Sequence, residues 1–232
     1  MTATTLAEAF EQARSMDAPL SERLSAYARA IRDLNAPFAQ AVDRLVGRLR
    51  AGSAITASPK EGEPMPSFLL PDHMGRLLSL EDLIASGPVV VTFARGHWCP
   101  YCRIAISALA EIADDAKAIG GQIVAIVPDR RRFTARLRAE TSAPFPILTD
   151  IDNGYALSLG LVFWVGQEMQ KLMLARNVNP GESQGNDSWL LPIPATFIVG
   201  RDGIIKARHV DPDYRTRMEI ESVLEAVKLA QA

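Results

Sequence analysis

The chain has 232 residues, 48% of them hydrophobic and 22% charged, with a formal net charge of -2. That is the make-up of an ordinary globular protein able to bury a sizeable core, and the near-zero charge gives no general attraction for nucleic acid or an anionic membrane. No apolar run approaches the ~20 residues of a membrane span, and Glu8 and Glu11 among the first alanines do not fit the basic-then-apolar layout of a secretion signal, so a cytoplasmic protein without a membrane partner is expected.

The first fifty residues read as helices. Leu6, Phe10 and Ala13, then Leu24, Ala28, Ile31 and Leu34, then Phe38, Val42, Leu45 and Leu49 recur at helical spacing, with Pro19 and Pro37 as punctuation. A stretch rich in Gly, Ser, Thr and Pro from Gly52 to Pro66 reads as a linker or extended arm. The chain therefore divides into a helical segment with its linker, 1–58, and a second unit, 59–232.

Past that point strand and helix signals alternate. Strands are expected at Phe68–Leu70, Pro88–Phe93, Gln122–Val127 and Pro146–Leu148, and helices at Arg103–Ile119 and Arg131–Glu140, which predicts a parallel-sheet core. Phe163–Arg176 carries Trp164, Met169, Leu172 and Met173 in a helix-compatible pattern that suits a core or a subunit interface. Asn177–Ser188 reads as a surface loop. Two more strands, Ala195–Val199 and Ile204–Val210, flank the hairpin signal Asp202-Gly203, and an amphipathic helix carrying Met218, Ile220, Val223, Leu224 and Val227 closes the chain. The result is a three-layer α/β arrangement. The arginines at 130, 131, 132, 136 and 138 are expected on a solvated helix face.

Cys99 and Cys102 are the only cysteines, and they fall where the apolar run Val89–Phe93 hands over to a helix. Two intervening residues put both sulfurs on one side of the first helical turn, within reach of disulfide geometry. The unpaired N–H groups and positive dipole end of a helix start favour the Cys99 thiolate, and a thiolate is the reactive form. Pro100 suits the first helical position. A structural zinc needs four ligands, whereas His73, His97 and His209 are scattered, so no metal is assigned. The reading is redox chemistry, with Cys99 ionised and exposed near neutrality and Cys102 close enough to bond to it.

These motifs resemble the thioredoxin-fold superfamily and, more narrowly, its peroxiredoxin-like branch, the alkyl hydroperoxide reductase and thiol-specific antioxidant group. The resemblance covers roughly 60–232. It is carried by Phe68-Leu69-Leu70-Pro71-Asp72, the strand into Cys99-Pro100-Tyr101-Cys102, Val127-Pro128-Asp129, Pro146-Ile147-Leu148-Thr149-Asp150, and Pro194-Ala195-Thr196-Phe197-Ile198-Val199 with Asp202-Gly203. It implies a thioredoxin-like, peroxiredoxin-type three-layer α/β sandwich with an N-terminal helical extension. Placing the family's peroxide-attacking cysteine on Cys102 puts Arg95 at the family's proline, Cys99 at its threonine and Pro194 at its sheet arginine. Trp98-Cys99 instead resembles the tryptophan before the thioredoxin nucleophile, Cys-Pro-Tyr-Cys the glutaredoxin pair, and Ile193-Pro194 the cis-proline opposite it. Thr92 stands near where thioredoxins bury an acid, leaving His97 as the candidate proton acceptor.

The resemblance implies a thiol oxidoreductase in which Cys99 attacks and Cys102 resolves, with Trp98 and Pro194 contacting a peroxide or disulfide substrate. No cofactor is expected; an external thiol donor, thioredoxin or glutathione, resets the pair, and a homodimer is expected. The reverse order, with Cys102 attacking, stays open. A different class also stays open: a redox-switched interaction module whose helices dock on a partner.

Overall fold

The structure is a computed structural model, and it describes residues 4–231; of the expected N-terminal segment 1–58, residues 1–3 lie outside the described residues. The helices α1 (Leu6–Arg14), α2 (Leu20–Leu34) and α3 (Ala36–Ala51) follow the apolar spacing. Thr5 and Glu8 close a reciprocal cap on α1, and the Asn35 side chain accepts from the Phe38 N–H at the start of α3, satisfying donors that a helix start leaves open. Pro37 lies inside the first turn of α3 rather than between helices, where its missing N–H removes nothing. The inward faces, with Leu24, Tyr27, Ile31, Val42 and Leu45, join the same buried cluster as Cys99, Tyr101 and Ile104.

Next come β1 (Leu69–Pro71) and β2 (Leu77–Ser79), an antiparallel hairpin, and α4 (Leu80–Ser86). The sequence reading missed β2 and α4, each too short to show periodicity. β3 (Val89–Phe93) leads through a six-residue turn to α5 (Pro100–Glu111). The single helix expected over Arg103–Ile119 begins earlier, because Cys99 caps it, and breaks at Ile112 before α6 (Ala113–Ala118), whose first turn carries Asp114 and Asp115. β4 (Gln122–Val127) and α7 (Arg131–Glu140) coincide with expectation, and β5 (Ile147–Thr149) is shifted by one residue.

The region 154–192 departs most. It forms α8 (Gly154–Ser158), β6 (Val162–Trp164), α9 (Gln167–Leu174), α10 (Pro180–Gln184) and β7 (Leu190–Pro192), with β6 and β7 paired antiparallel. The helix-compatible run is split at Gly166, whose φ of 84° suits glycine and ends the strand before α9 begins. The expected surface loop contains α10, with Ser183 and Gln184 buried. β8 (Ala195–Val199), β9 (Ile205–Val210) and α11 (Ile220–Leu229) complete the chain.

The central sheet has the order β5-β4-β3-β8-β9, with β3, β4 and β5 parallel and β8 and β9 antiparallel. Val90, Ile123 and Ala125 face the cluster under α5 and the N-terminal helices, whereas Val89, Val91, Val124 and Ile126 face the cluster holding Phe68, Leu80 and Tyr155. Strands buried on both faces read as unbroken apolar runs, which is why β3 and β4 were visible. The linker is pinned: the N–H groups of Gly62 and Met65 donate to the carbonyls of Ile205 and Gly203 along the β9 edge. Among the described residues, no helix is long and apolar enough to cross a membrane.

Candidate active site

The cysteine pair sits at the end of β3, the middle strand, where the chain turns from Ala94 through Gly96 into α5. Gly96 has φ 134°, and a Cβ there would lie 2.8 Å from both Asp129 Oδ1 and Trp98 Nε1, so only glycine fits the turn. Asp129 is fully buried and accepts from the His97 N–H at 2.6 Å. The His97 ring, 3.1 Å from the same carboxylate through Nδ1, stacks on Phe133 at 4.6 Å. His97 therefore braces the turn, and its ring is hydrogen-bonded to Asp129 rather than to either sulfur. Thr92, at the expected acid position, bonds instead within the sheet to Thr196 and the Ala195 carbonyl.

Cys99 caps α5, and its sulfur accepts from the Cys102 N–H at 3.4 Å, as the helix-start argument requires. The residue that sequence reading did not recognise as part of the site is Arg95. Its Nη2 lies 3.1 Å from Cys99 Sγ, and its main-chain N–H points at Cys102 Sγ at 3.3 Å. The guanidinium is packed over the Tyr214 ring at 3.4 Å, with Trp98 at 5.3 Å. Planar stacking on aromatic rings with one edge free for a sulfur is a geometry arginine makes and lysine does not. Arg217 Nη2 lies 3.8 Å from Cys102 Sγ.

These contacts push the two thiols apart. Burial, the largest influence on Cys99, raises its pKa, but the Cys102 thiol, the Arg95 charge and the hydrogen bonds from Arg95 and the Cys102 N–H together outweigh it and hold it well below the ordinary thiol range. Burial and the neighbouring Cys99 charge hold Cys102 well above that range, with Arg217 and Arg95 opposing. The two directions favour ionisation at Cys99 and the neutral thiol at Cys102. The expectation of an exposed nucleophile does not hold: Cys99 is 0% exposed and Cys102 is 1% exposed. A helix start that must be roofed by α1–α3 buries its own cap.

Trp98 is half-buried and lines a cavity beside Arg95. Pro194 is buried at the entry to β8 and does not line it. Every peptide bond among the described residues is trans, so the cis Ile193–Pro194 bond is absent, and the Ile193 N–H already donates to the Leu161 carbonyl. That N–H is therefore already used within the fold. Of the arginine row, Arg136 pairs with Glu140, and Arg130, Arg131 and Arg132 are exposed.

A mixed five-stranded sheet whose middle strand delivers a Cys-x-x-Cys pair to a helix start defines a thioredoxin-fold thiol oxidoreductase. The sequence pattern of the AhpC/TSA family matches residues 62–208, and the chain belongs to that family. It is 30% identical over 144 residues, 62% of this chain and 80% of the other, to the Mycobacterium tuberculosis protein named "Putative peroxiredoxin MT2597". In fold it is similar to the Mycobacterium tuberculosis peroxidoxin BcpB, with TM-score 0.57, 20% identity and coverage of 75% of this chain and 99% of that one. A peroxiredoxin-like protein from Aquifex aeolicus gives TM-score 0.58 at 14% identity over 76% of this chain and 90% of that one.

Proposed function

We propose that this protein reduces peroxides, with Cys99 as the attacking thiolate and Cys102 as the resolving thiol. The observation that carries the reading is the Arg95 guanidinium 3.1 Å from a fully buried Cys99 sulfur. Burial weighs against a bulky protein disulfide and in favour of a small peroxide, which needs the smaller opening to reach the sulfur, and the arginine supports both the thiolate and the negative charge that develops on the departing oxygen. Cys99 attacks the terminal peroxide oxygen, so that an S–O bond forms and the O–O bond breaks. The leaving oxygen takes a proton from solvent, and Cys99 becomes a sulfenic acid. Cys102 then attacks that sulfur; the S–S bond forms, and the hydroxide leaves as water with the Cys102 proton. An external thiol, from a thioredoxin or glutathione system, restores the pair by exchange once the Trp98–Cys102 turn opens. In this reading Trp98 touches the substrate, Pro194 only fixes the entry to β8, and the protein works in the cytoplasm as a homodimer, which light scattering reads directly.

Mass spectrometry of Cys→Ser variants after peroxide treatment tests the order. The Cys102→Ser protein accumulates sulfenic acid at Cys99, and the Cys99→Ser protein stays reduced. Sulfenic acid at Cys102 in the Cys99→Ser protein would reverse the assignment. Steady-state consumption of hydrogen peroxide with a thioredoxin system, beside insulin-disulfide reduction, separates the enzyme from a redox-switched interaction module: peroxide turnover supports the enzyme, and a stoichiometric change with partner capture supports the module.

A further inference from the structure

Oxidation of the cysteine pair leaves a buried cation without its counter-charge. In the reduced protein Arg95 Nη2 stands 3.1 Å from Cys99 Sγ, and Arg95 is only 6% exposed. Burial opposes the Arg95 charge, and the Cys99 sulfur is foremost among the groups that offset this. Once Cys99 is bonded to Cys102 its sulfur carries no charge, and the guanidinium faces a neutral disulfide. A buried charge is costly unless it is paired, and breaking a buried pair by removing one member is strongly destabilising. The oxidised protein therefore gains from any other anion that reaches Arg95.

Arg95 borders a space suited to one. Helices α2 and α3 precede the family match, which begins at residue 62, and through Tyr27, Ile31, Phe38 and Leu45 they line a cavity of about 90 Å³ that Arg95 also lines. The charged residues of that lining are Arg95 and Arg176, and no Asp, Glu or His joins them among the described residues. Arg95 Nε and Arg176 Nη1 are each buried without a hydrogen-bond partner, an unfavourable state for a donor unless an acceptor is supplied. Arg176 lies over the Phe38 ring at 4.4 Å, which holds its guanidinium at the α3 side. The volume is several times the ~10–15 Å³ that admits one water, enough for a small ion and a companion water. Because the rest of the lining is largely apolar, an ion that enters must shed most of its hydration; one charge costs less than two, and a weakly hydrated ion suits the weakly hydrated guanidinium.

We propose that this cavity binds one small, weakly hydrated monovalent anion, of the halide or nitrate type, at Arg95 and Arg176, and that the anion takes over the charge of Arg95 when Cys99 and Cys102 form their disulfide. The anion is bound and not consumed. With glutathione disulfide as the oxidant, the Cys99 thiolate displaces one glutathione thiolate, the Cys102 thiol displaces the second glutathione from the mixed disulfide, and the Cys102 proton leaves with it. The anion and the Cys99 thiolate compete for one guanidinium, so each weakens the other by the same factor, and the anion favours the disulfide over the thiolate. Anion binding rests on the Cys99 thiolate and not on the identity of its oxidant, so it stands or falls apart from peroxide reduction.

The test equilibrates the full chain with a glutathione redox buffer at fixed pH and reads the disulfide-to-dithiol ratio by mass after alkylation, in sodium bromide and in sodium fluoride of equal ionic strength. Fluoride carries the same charge but is strongly hydrated. Bromide is expected to raise the ratio over fluoride by about fivefold or more, the lower end of coupling between two sites, and the effect saturates with bromide concentration. In the reduced protein bromide also moves the alkylation midpoint of Cys99 upward from about 5. In Arg176→Gln the bromide effect falls at least threefold, and in Arg176→Lys, which keeps the charge, part of it returns. Ile31→Phe fills the space from α2 and lowers the effect; Leu45→Phe repeats that arm from α3 should the first variant fail to fold. Equal ratios in the two salts, a bromide effect that does not saturate, or one undiminished in Arg176→Gln overturns anion binding and leaves peroxide reduction intact. A saturable, Arg176-dependent bromide effect without peroxide turnover upholds the anion site and overturns the peroxide reading alone.

Discussion

Replacing Arg95 by methionine removes the charge on Cys99 but keeps an apolar chain of similar reach against Tyr214 and Trp98. In the wild type the sulfur titrates at about 5. Without the guanidinium the value rises, because burial still opposes the charge and only the Cys102 contacts remain to favour it. For each unit of that rise the thiolate fraction at a pH between the two values falls about tenfold, while the more basic thiolate is the better nucleophile by about 2.5- to 3-fold at a Brønsted slope of 0.4–0.5. The two effects oppose each other. Alkylation of Arg95→Met by iodoacetamide is therefore expected to be about three- to fourfold slower than wild type at pH 6 for each unit of the rise, and about 2.5- to 3-fold faster per unit at a pH above both values. Peroxide consumption has no such crossing, because the arginine also stabilises the charge on the leaving oxygen; it falls at every pH. The assay is the pH profile of second-order alkylation, set beside peroxide kinetics on the same preparation. An alkylation midpoint that stays below pH 6 in the variant would refute the reasoning and hand the thiolate to the Cys102 contacts and the helix start.

The remaining predictions address the neighbours of that contact. Arg217→Met takes away the cation 3.8 Å from Cys102; stopped-flow is expected to show an unchanged first oxidation and a sulfenic acid that lives about three to ten times longer, and an unchanged lifetime counts against Arg217. Gly96→Ala forces a Cβ to within 2.8 Å of Asp129 Oδ1 and Trp98 Nε1 at φ 134°; it is expected to lower stability by about 1–3 kcal/mol or more in denaturant titration, and a native midpoint means the turn is softer than its geometry. Cys99 has a folded pKa below its unfolded one, so its contribution to the reduced protein is full above the unfolded value of ~8.5 and is lost as pH falls toward about 5. The stability difference between reduced wild type and Cys99→Ser should shrink across pH 8 to 5, at no more than about 1.4 kcal/mol per pH unit, and a difference flat over that window excludes a native thiolate.

The parts of the fold legible in the sequence were those fixed by local or one-dimensional rules. Val89–Phe93 and Gln122–Val127 are buried on both faces, so their apolar runs declared them, and the Asp202-Gly203 turn announced the β8–β9 hairpin. The region 154–192 was illegible because its strands have three residues each and their pairing joins Val162 to Pro192, thirty positions away. Periodicity needs longer elements. The same limit applied to the site. The cysteine spacing and the cap were local, and both were found. Arg95 was visible as a residue, but its role comes from Tyr214, which arrives from beyond β9, and no spacing rule links the two.

The two halves of the chain explain each other at this point. A Cys-x-x-Cys pair at a bare helix start draws its thiolate from the helix and solvent, and it stays exposed to large disulfides. Here α2 lies over α5, with Tyr27 against Tyr101, and the roof removes that solvent. Burial alone would drive Cys99 to the neutral thiol and silence it. A charge must then be supplied from inside, and the cation has to be one that stays ionised and stacks flat where water is excluded, which a lysine would not do. Arg95 meets both conditions, held between Tyr214 and Trp98. In the proposed peroxide reduction the helical extension and the buried arginine act as one device: the roof closes the site to bulky oxidants, and Arg95 keeps the closed site reactive.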